Sequence, residues 1–237
     1  MSIISVSGYI GSGKDEIGKI IQYLTSNNIV FAGQHTGKIS YDFFKSIYKD
    51  LPQEFEIKKW AYKVKQVATL ITGIPIEKFE DQEFKESLLG SEWATIKFNP
   101  LNAIPVFEDV KFNHLLSIRE LLQKIGTDAM RKGLHENVWI NAMMSDYKEN
   151  CDWIITDTRF PNELEAIKAK EGITIRVKRP HGYTDPHTGI YKEIPLSFHE
   201  SETALDDAKF DYEILNDNSI EDLIEKVKLI LKTEKII

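Results

Sequence analysis

The chain has 237 residues, of which 42% are hydrophobic and 28% charged, and these proportions are ordinary for a globular protein. Its net charge of −7 argues against a general nucleic-acid-binding role, which needs a basic surface. The lone Cys151 gives no disulfide framework and no cysteine-based metal site. Since no apolar run approaches the length of a membrane span and the chain begins on a strand-like run, we expect a cytoplasmic protein without nucleic-acid or membrane partners.

The start of the chain predicts a strand, a phosphate-binding loop and a helix. After a short apolar run, the spacing Gly8-x4-Gly13-Lys14 is that of a P-loop. Its glycines let backbone N–H groups turn toward a phosphate, and Lys14 reaches the terminal phosphates. The helix after it presents its positive end to the same anion, and its apolar face is formed by Ile17, Ile20, Ile21 and Leu24. The simpler alternative is an ordinary glycine-rich turn between a strand and a helix.

Asp15 departs from the usual P-loop pattern, in which serine or threonine supplies a hydroxyl to Mg²⁺. A carboxylate at this position can bind magnesium directly or through water. It can equally serve only as a cap for the helix. The sequence leaves these alternatives open.

Residues 29–113 are less regular. The run Ile29-Val30-Phe31 predicts a short second strand. A strong helix is predicted from an apolar stripe. The other face of this helix is basic and carries Lys58, Tyr62 and Lys65, which is typical of a solvated surface. The stripe consists of Ile57, Trp60, Ala61, Val64, Val67, Ala68 and Ile71. Residues 91–113 are consistent with a hairpin or a long loop.

Two more helices follow. The first has Leu121, Leu122 and Ile125 on its buried stripe, while Arg119, Gln123 and Thr127 fall four apart on another face. The second is predicted over 137–147. Its inward residues are expected to be Trp139, Ala142 and Met143.

The stretch 151–157 is an apolar run ending in an acid, which is typical of a central parallel strand buried on both faces. Functional residues of open α/β sheets lie beyond the carboxyl ends of the strands, where Asp157, Thr158 and Arg159 fall. A helix from Pro161 and a strand at 173–177 come next. The polar loop that follows, out to about His199, is typical of a lid. A strand at 212–215 and a helix from Ile220 complete the chain.

This order predicts an α/β fold of the P-loop NTPase type, with a central five-stranded parallel sheet flanked by helices. We expect one domain spanning 1–237. Its core covers about 1–34, 114–178 and 200–237, with an inserted region at about 35–113 and a lid at about 179–199.

Further motifs favour a small-molecule kinase among P-loop proteins. A GTPase needs an Asn-Lys-x-Asp motif and an Asp-x-x-Gly switch, and we find neither downstream of the P-loop. A kinase needs several arginines and a closure that excludes water, because phosphoryl transfer relies on positioning and charge stabilisation. The chain offers Arg119, Arg131, Arg159, Arg176 and Arg179.

Several motifs together resemble the deoxynucleoside monophosphate kinases of tailed bacteriophages. They are the loop Gly-Ser-Gly-Lys-Asp at 11–15, Arg119 with Gly126-Thr127-Asp128, Trp139, Asp157-Thr158-Arg159 and a later His199-x-Ser-Glu. The P-loop alone is shared with several small-molecule kinases. The Gly-Thr-Asp and Asp-Thr-Arg motifs, in this order with Trp139 between them, are more specific. The resemblance spans most of the chain and is weakest between about 35 and 115.

The resemblance implies transfer of the γ-phosphate of ATP to a deoxynucleoside monophosphate (dNMP) with Mg²⁺, on a nucleoside monophosphate kinase-like fold whose inserted region binds the acceptor. ATP phosphates would lie on Gly11, Ser12, Gly13, Lys14, Asp15 and Glu16, with magnesium at Asp15. The acceptor site would comprise Lys65, Arg119, Gly126, Thr127, Trp139, Asp157 and Arg159. Lys14, Arg159 and Arg179 would be catalytic.

ATP and a dNMP are thus the expected partners, a homodimer is a candidate assembly, and a viral protein would act in the host cytoplasm. Two alternatives stay open. One is another P-loop kinase, such as one resembling dephospho-coenzyme A kinase, and the other is a non-catalytic nucleotide-binding protein.

Overall fold

The structure is a computed structural model that describes residues 2–26, 40–47, 53–98, 111–148, 151–180, 182–184, 191–193 and 203–237. The described strands are β1 (Ile3–Gly8), β2 (Phe55–Lys58), β3 (Thr95–Phe98), β4 (Lys111–His114), β5 (Asp152–Ile155), β6 (Ile173–Lys178), β7 (Gly182–Thr184), β8 (Tyr191–Glu193) and β9 (Tyr212–Leu215). The α-helices are α1 (Lys14–Thr25), α2 (Tyr41–Ile47), α3 (Trp60–Thr72), α4 (Gln82–Glu86), α5 (Ile118–Gln123), α6 (Val138–Met144), α7 (Pro161–Lys168) and α8 (Ile220–Thr233).

The chain forms two compact units. Unit 1 comprises Met1–Trp60 and Met143–Ile237, and unit 2 comprises Ala61–Ala142. Among the helices of the described segments, none combines the length and apolar character that crossing a membrane requires.

Unit 1 is built on a five-stranded sheet with the strand order β2-β5-β1-β6-β9, in which every neighbouring pair is parallel. The predicted α/β fold with a central parallel sheet is therefore confirmed. Strands β1 and β5 have neighbours on both sides, and their apolar runs are buried, as expected for interior strands. The carboxyl ends of all five strands lie at the same edge of the sheet.

Helices α1 and α8 pack in the core of unit 1 with the apolar faces that the sequence predicts. Ile17, Ile20 and Ile21 of α1 are fully buried, and so are Val227 and Leu231 of α8. Helix α8 starts at the Ser219 cap, with Glu221 and Asp222 in its first turn and Lys232 in its last, an arrangement that suits the helix dipole.

The prediction for 57–65 was wrong in two respects. Ile57 belongs to strand β2 rather than to a helix. The prediction extended the helix too far because only Lys59 separates β2 from α3, and the apolar spacing continues across this junction. Lys65, expected on a solvated face, is only 6% exposed. The predicted strand at 29–31 lies outside the described residues. The described sheet has five strands because it includes β2, which was not predicted.

Unit 2 contains the greater parts of α3 and α6, together with strands β3 and β4 and helices α4 and α5. Strands β3 and β4 pair antiparallel, which favours the hairpin over the long loop as the structure of 91–113. Helix α5 starts with a capping box between Ser117 and Glu120. The chain then continues as a π-helix, Lys124–Lys132, which the sequence did not predict. Since the hydrogen-bonding pattern changes there, the four-residue spacing from Arg119 to Thr127 no longer defines one helical face.

The core of unit 2 is a second apolar cluster. Its buried members include Ala68, Phe79, Leu121, Ile125 and Trp139. The predicted buried stripe is thus confirmed at Leu121 of α5 and at Ile125 of the π-helix, while Leu122 is half-buried. Helix α6 is shorter than the predicted 137–147, and Trp139 and Met143 are buried as expected.

Candidate active site

The loop between β1 and α1 has the backbone geometry that a P-loop requires. Gly11 and Gly13 adopt φ angles of +76° and +100°, in the left-handed region that favours glycine. Gly13 also stands at the N-terminal cap of α1, where no side chain caps the helix. The backbone N–H of Ser12 donates to the carbonyl of Tyr9 at 3.1 Å, which closes the turn. The sequence prediction of strand, glycine loop and helix is confirmed.

Three side chains from separate parts of the chain donate hydrogen bonds to carbonyl oxygens of this loop. The ammonium of Lys14 donates to the carbonyls of Gly8 and Tyr9, each at 2.7 Å. The amide of Asn216, just after β9, donates to the carbonyl of Ser12 at 2.8 Å. Arg179, which follows β6, donates to the carbonyl of Gly11 at 3.4 Å. Because two of these donors are cations, positive charge collects where a P-loop binds an anion.

The Asp15 carboxylate lies at the carboxyl ends of two neighbouring strands. Its Oδ1 accepts a hydrogen bond from the Thr156 hydroxyl, after β5, at 2.8 Å. The Lys59 ammonium, after β2, lies 3.0 Å from the same oxygen. Desolvation by neighbouring atoms raises the pKa of Asp15, but the charge and hydrogen bond of Lys59, the Thr156 hydrogen bond and the charge of Lys14 outweigh it. The pKa is therefore lowered overall, and Asp15 is a carboxylate at neutral pH.

The carboxylate oxygens of Asp15 suit a magnesium ion that is held mainly by the phosphates of a substrate. Mg²⁺ prefers oxygen ligands and in kinases is bound through one or two carboxylates plus phosphate oxygens. The described residues contain no cluster of three or more histidine, cysteine, aspartate or glutamate side chains that could hold a metal. A single carboxylate beside the P-loop thus fits a magnesium ion that arrives with a nucleotide, rather than one enclosed by the protein.

Glu16, also predicted to face phosphate, contacts α2. Its Oε1 accepts a hydrogen bond from the Tyr41 hydroxyl at 3.0 Å. Burial, together with the charge and hydrogen bond of Glu16, raises the pKa of Tyr41 well above its usual value. This contact fastens α1 to α2 within unit 1.

The segment after β5 anchors the start of α3. The Asp157 carboxylate accepts a hydrogen bond from the backbone N–H of Trp60 at 2.8 Å. The Thr158 hydroxyl accepts one from the Trp60 indole at 3.2 Å and is hydrogen-bonded to Ser5 at 2.7 Å. The backbone N–H of Arg159 donates to Glu163 at 2.8 Å. Asp157 and Thr158 therefore fix the entry of α3, and Arg159 follows them at the carboxyl edge of the sheet.

The other predicted acceptor residues lie in unit 2. Lys65 is ion-paired with Glu80, and the Arg119 guanidinium donates to Glu86 at 2.7 Å. Gly126 and Thr127 belong to the π-helix, and both are half-buried. Each of the two cations therefore has a carboxylate partner within its own unit.

Trp139 is a core residue of unit 2. It is 3% exposed, and its indole donates to the carbonyl of Gly126 at 2.8 Å. The bond ties α6 to the π-helix. This environment differs from an open stacking platform for a base.

Replacing Trp139 with phenylalanine is expected to lower the free energy of unfolding by about 1–2 kcal/mol, because a hydrogen bond and buried volume are lost. Urea unfolding of the purified chain measures this loss. Trp93, which packs at the margin of the same cluster, provides the control, since Trp93→Phe should cost less. Unchanged stability in W139F, with weaker dNMP binding, would instead indicate that the ring stacks on the acceptor.

The structure adds three residues to the site that the sequence analysis did not name, and it places a fourth, Arg176, that the sequence analysis offered only among the arginines of a kinase. Lys59, Thr156 and Asn216 contact the loop or Asp15, as described above. Arg176 is 6% exposed and donates to Ser7 and Asp206, both at 2.9 Å, while its guanidinium lies 5.1 Å from the Tyr9 ring centre. The signal for all four was their position at or just after a strand of the parallel sheet.

The predicted lid contains a short antiparallel hairpin, β7 paired with β8. Arg179 precedes it and contacts the P-loop through Gly11. His199, Ser201 and Glu202 lie outside the described residues. Arg179 therefore links the described part of this segment to the phosphate loop.

A parallel sheet whose first strand leads into a glycine loop, with a lysine opening the next helix, defines a P-loop nucleotide-binding protein of the kinase-like α/β class. Comparison with known families is more specific. The family model for deoxynucleotide monophosphate kinase matches residues 37–227, which is most of the chain. The chain belongs to this deoxynucleotide monophosphate kinase family. The matched range begins after the P-loop, so the loop is an independent observation.

Individual relatives agree with the family. The chain is 27% identical over 183 residues to the deoxynucleoside-5'-monophosphate kinase of Escherichia phage T5, covering 70% of this chain and 71% of that protein. It is 28% identical over 157 residues to the deoxynucleotide monophosphate kinase of Enterobacteria phage T4, covering 56% and 61%. The match to the enzyme of Escherichia phage RB69 is 25% identical over 277 residues and covers 98% of this chain and 100% of that protein.

Proposed function

We propose that this protein transfers the γ-phosphate of ATP to a deoxynucleoside 5'-monophosphate, yielding the diphosphate and ADP. The observation that carries the proposal is the P-loop, where Lys14 lies against the loop carbonyls at the start of α1, in a chain of this family. The names of the relatives support a deoxynucleoside monophosphate as the acceptor, and the P-loop supports a nucleoside triphosphate as the donor.

On this proposal, the donor phosphates lie along the P-loop. Gly11, Ser12 and Gly13 supply backbone N–H groups, and Lys14 moves from the loop carbonyls to the terminal phosphates. Magnesium, when bound with ATP, would lie beside Asp15 and would reduce the charge of the phosphates. Glu16 contributes indirectly, because it holds α1 against Tyr41.

The acceptor monophosphate is proposed to be clamped by Arg119 and Arg159, with Lys65 as a further phosphate contact. Arg119 and Lys65 are paired with Glu86 and Glu80 in this structure, and a phosphate would replace those carboxylates. Gly126 and Thr127 would line the site.

On this proposal, two other residues predicted for the acceptor site hold neighbouring parts of the chain in place and do not touch the acceptor themselves. Trp139 holds the carbonyl of Gly126, and Asp157 caps α3, which carries Lys65. Arg179, already in contact with Gly11, would stabilise the transferring phosphoryl group when the lid closes and excludes water.

No covalent intermediate is needed, because in-line transfer between positioned substrates is sufficient. The division into a core, an acceptor-binding region at about 35–113 and a lid at about 179–199 is part of this proposal. So are a homodimeric assembly, the absence of nucleic-acid partners and a cytoplasmic location.

The test is release of ADP from ATP and Mg²⁺ by the purified chain, measured against a panel of dNMPs, ribonucleoside monophosphates and dephospho-coenzyme A. Release that depends on one or more dNMPs supports the proposal and shows which bases are accepted. Stimulation by dephospho-coenzyme A alone would indicate a different small-molecule kinase. No stimulation by any acceptor, with ATP still bound, would indicate a non-catalytic nucleotide-binding protein.

A further inference from the structure

Asp15 creates an electrostatic difficulty at the donor site. Most P-loops carry a neutral hydroxyl residue here, whereas this chain places a carboxylate in the first turn of α1, directly after Lys14. The polyphosphate of ATP is a strong anion, and binding it on the P-loop brings it close to this carboxylate, which repels it. A positive group near Asp15, in addition to Lys14 and the magnesium bound with ATP, would reduce this repulsion.

Lys59 supplies a positive group at this point. Its ammonium lies 3.0 Å from Asp15 Oδ1, and its side chain is only 31% exposed, while that of Asp15 is 63% exposed. The backbone of Lys59 is well placed for this contact, since the preceding Lys58 pairs with Ile155 in the sheet and its carbonyl accepts from the N–H of Thr156 at 3.3 Å.

Asp15 is thus held from two sides by the ends of adjacent strands. Thr156 donates from the residue after β5, and Lys59 donates from the residue after β2. Thr156 is neutral, so it can orient the carboxylate without offsetting its charge. Lys59 can do both, and the adjacent Lys58 cannot replace it, because Lys58 is paired with Glu56 and lies 5.3 Å from the Trp153 ring centre.

We propose that Lys59 is a positioning residue of the donor site, whose ammonium holds and neutralises the Asp15 carboxylate so that the polyphosphate of ATP can bind beside it. This inference rests on the proposed function and concerns its donor half. Lys59 acts through Asp15, so its importance should depend on the charge of residue 15.

The test is a double-mutant cycle on ATP binding, measured by calorimetry both with Mg²⁺ and with a chelator. Lys59→Met is expected to weaken ATP binding about tenfold, because a charge-assisted contact is lost and a carboxylate is left uncompensated. In the Asp15→Ser background, the same Lys59→Met change should weaken binding less than about twofold. Lys59→Arg, which keeps the charge, should retain most of the affinity.

Lys58→Met is the matched control, since it removes the same charge from the neighbouring residue and should leave ATP affinity unchanged. Equal losses on Lys59→Met in both backgrounds would overturn the inference, because Lys59 would then act on the nucleotide without Asp15. No loss in either background would also overturn it. If the cycle gives the expected result but no acceptor stimulates ADP release, the proposed phosphotransfer fails while this inference stands.

Discussion

Replacing Lys14 with alanine is expected to lower dNMP-dependent turnover by about a hundredfold or more, while dNMP affinity changes far less. The Lys14 ammonium is held by the carbonyls of Gly8 and Tyr9 at the start of α1, from where it can reach the phosphates of a bound donor. Loss of a preorganised charge that stabilises a transition state typically costs a factor of about 10² to 10³. Steady-state ADP release gives turnover, and calorimetry gives dNMP affinity.

Lys58→Ala is the control for this variant, because Lys58 lies at the end of β2 and is paired with Glu56 rather than with the loop. Its turnover should match that of the unmodified chain. Circular dichroism checks that both variants fold. If K14A turned over at the normal rate, the P-loop would play no part in the reaction.

Replacing Gly13 with alanine is expected to abolish tight ATP binding and to destabilise unit 1. Gly13 has φ of +100°, where an alanine costs about 1–2 kcal/mol in backbone strain. A Cβ at this position would also lie 2.5 Å from the amide nitrogen of Asn216, which holds the carbonyl of Ser12. The Asn216 side chain must therefore move and give up its hydrogen bond to Ser12, or the loop must shift, and ATP affinity and thermal unfolding together measure the effect.

Gly73→Ala separates backbone strain from damage to the loop. Gly73 also has a positive φ, +71°, but a Cβ there would meet no atom within 4 Å. It follows α3 in unit 2 and has no role in the proposed donor site. We expect G73A to lower stability through strain alone and to bind ATP normally. Normal ATP affinity in G13A would show that the glycine geometry of the loop is not needed for nucleotide binding.

Local sequence patterns predicted much of the fold. The glycine spacing and the apolar face of α1 led correctly to strand, loop and helix, because these features depend on neighbours within a few residues. The continuous apolar run of β5 likewise indicated an interior parallel strand. The family could be predicted because Gly126-Thr127-Asp128 and Asp157-Thr158-Arg159 are motifs in the sequence itself.

The features that were missed depend on distant contacts. Strand β2 was hidden because only Lys59 separates it from α3, so the helical stripe continued back to Ile57. Lys65 was expected in solvent, and its burial depends on how unit 2 packs around it. The π-helix at 124–132 contains Gly126, but a single glycine does not indicate a change from α-helical to π-helical hydrogen bonding.

Of the candidate site, the sequence predicted only the residues that are close together along the chain. Residues of the P-loop were found from spacing, whereas Lys59, Thr156 and Asn216 reach it from strands that are far away in sequence. Their contacts with Asp15 and Ser12 follow from the strand order β2-β5-β1-β6-β9, and the sequence does not specify which strand ends become neighbours.

The central claim, direct transfer of a phosphoryl group from ATP to a dNMP, is tested most directly by following the group itself. The purified chain is incubated with Mg²⁺, ATP labelled with ³²P at the γ-position and each dNMP in turn, and the labelled products are separated. The account predicts that the label appears in the deoxynucleoside diphosphate. Label found only in inorganic phosphate, or retained in ATP with every dNMP, would contradict it.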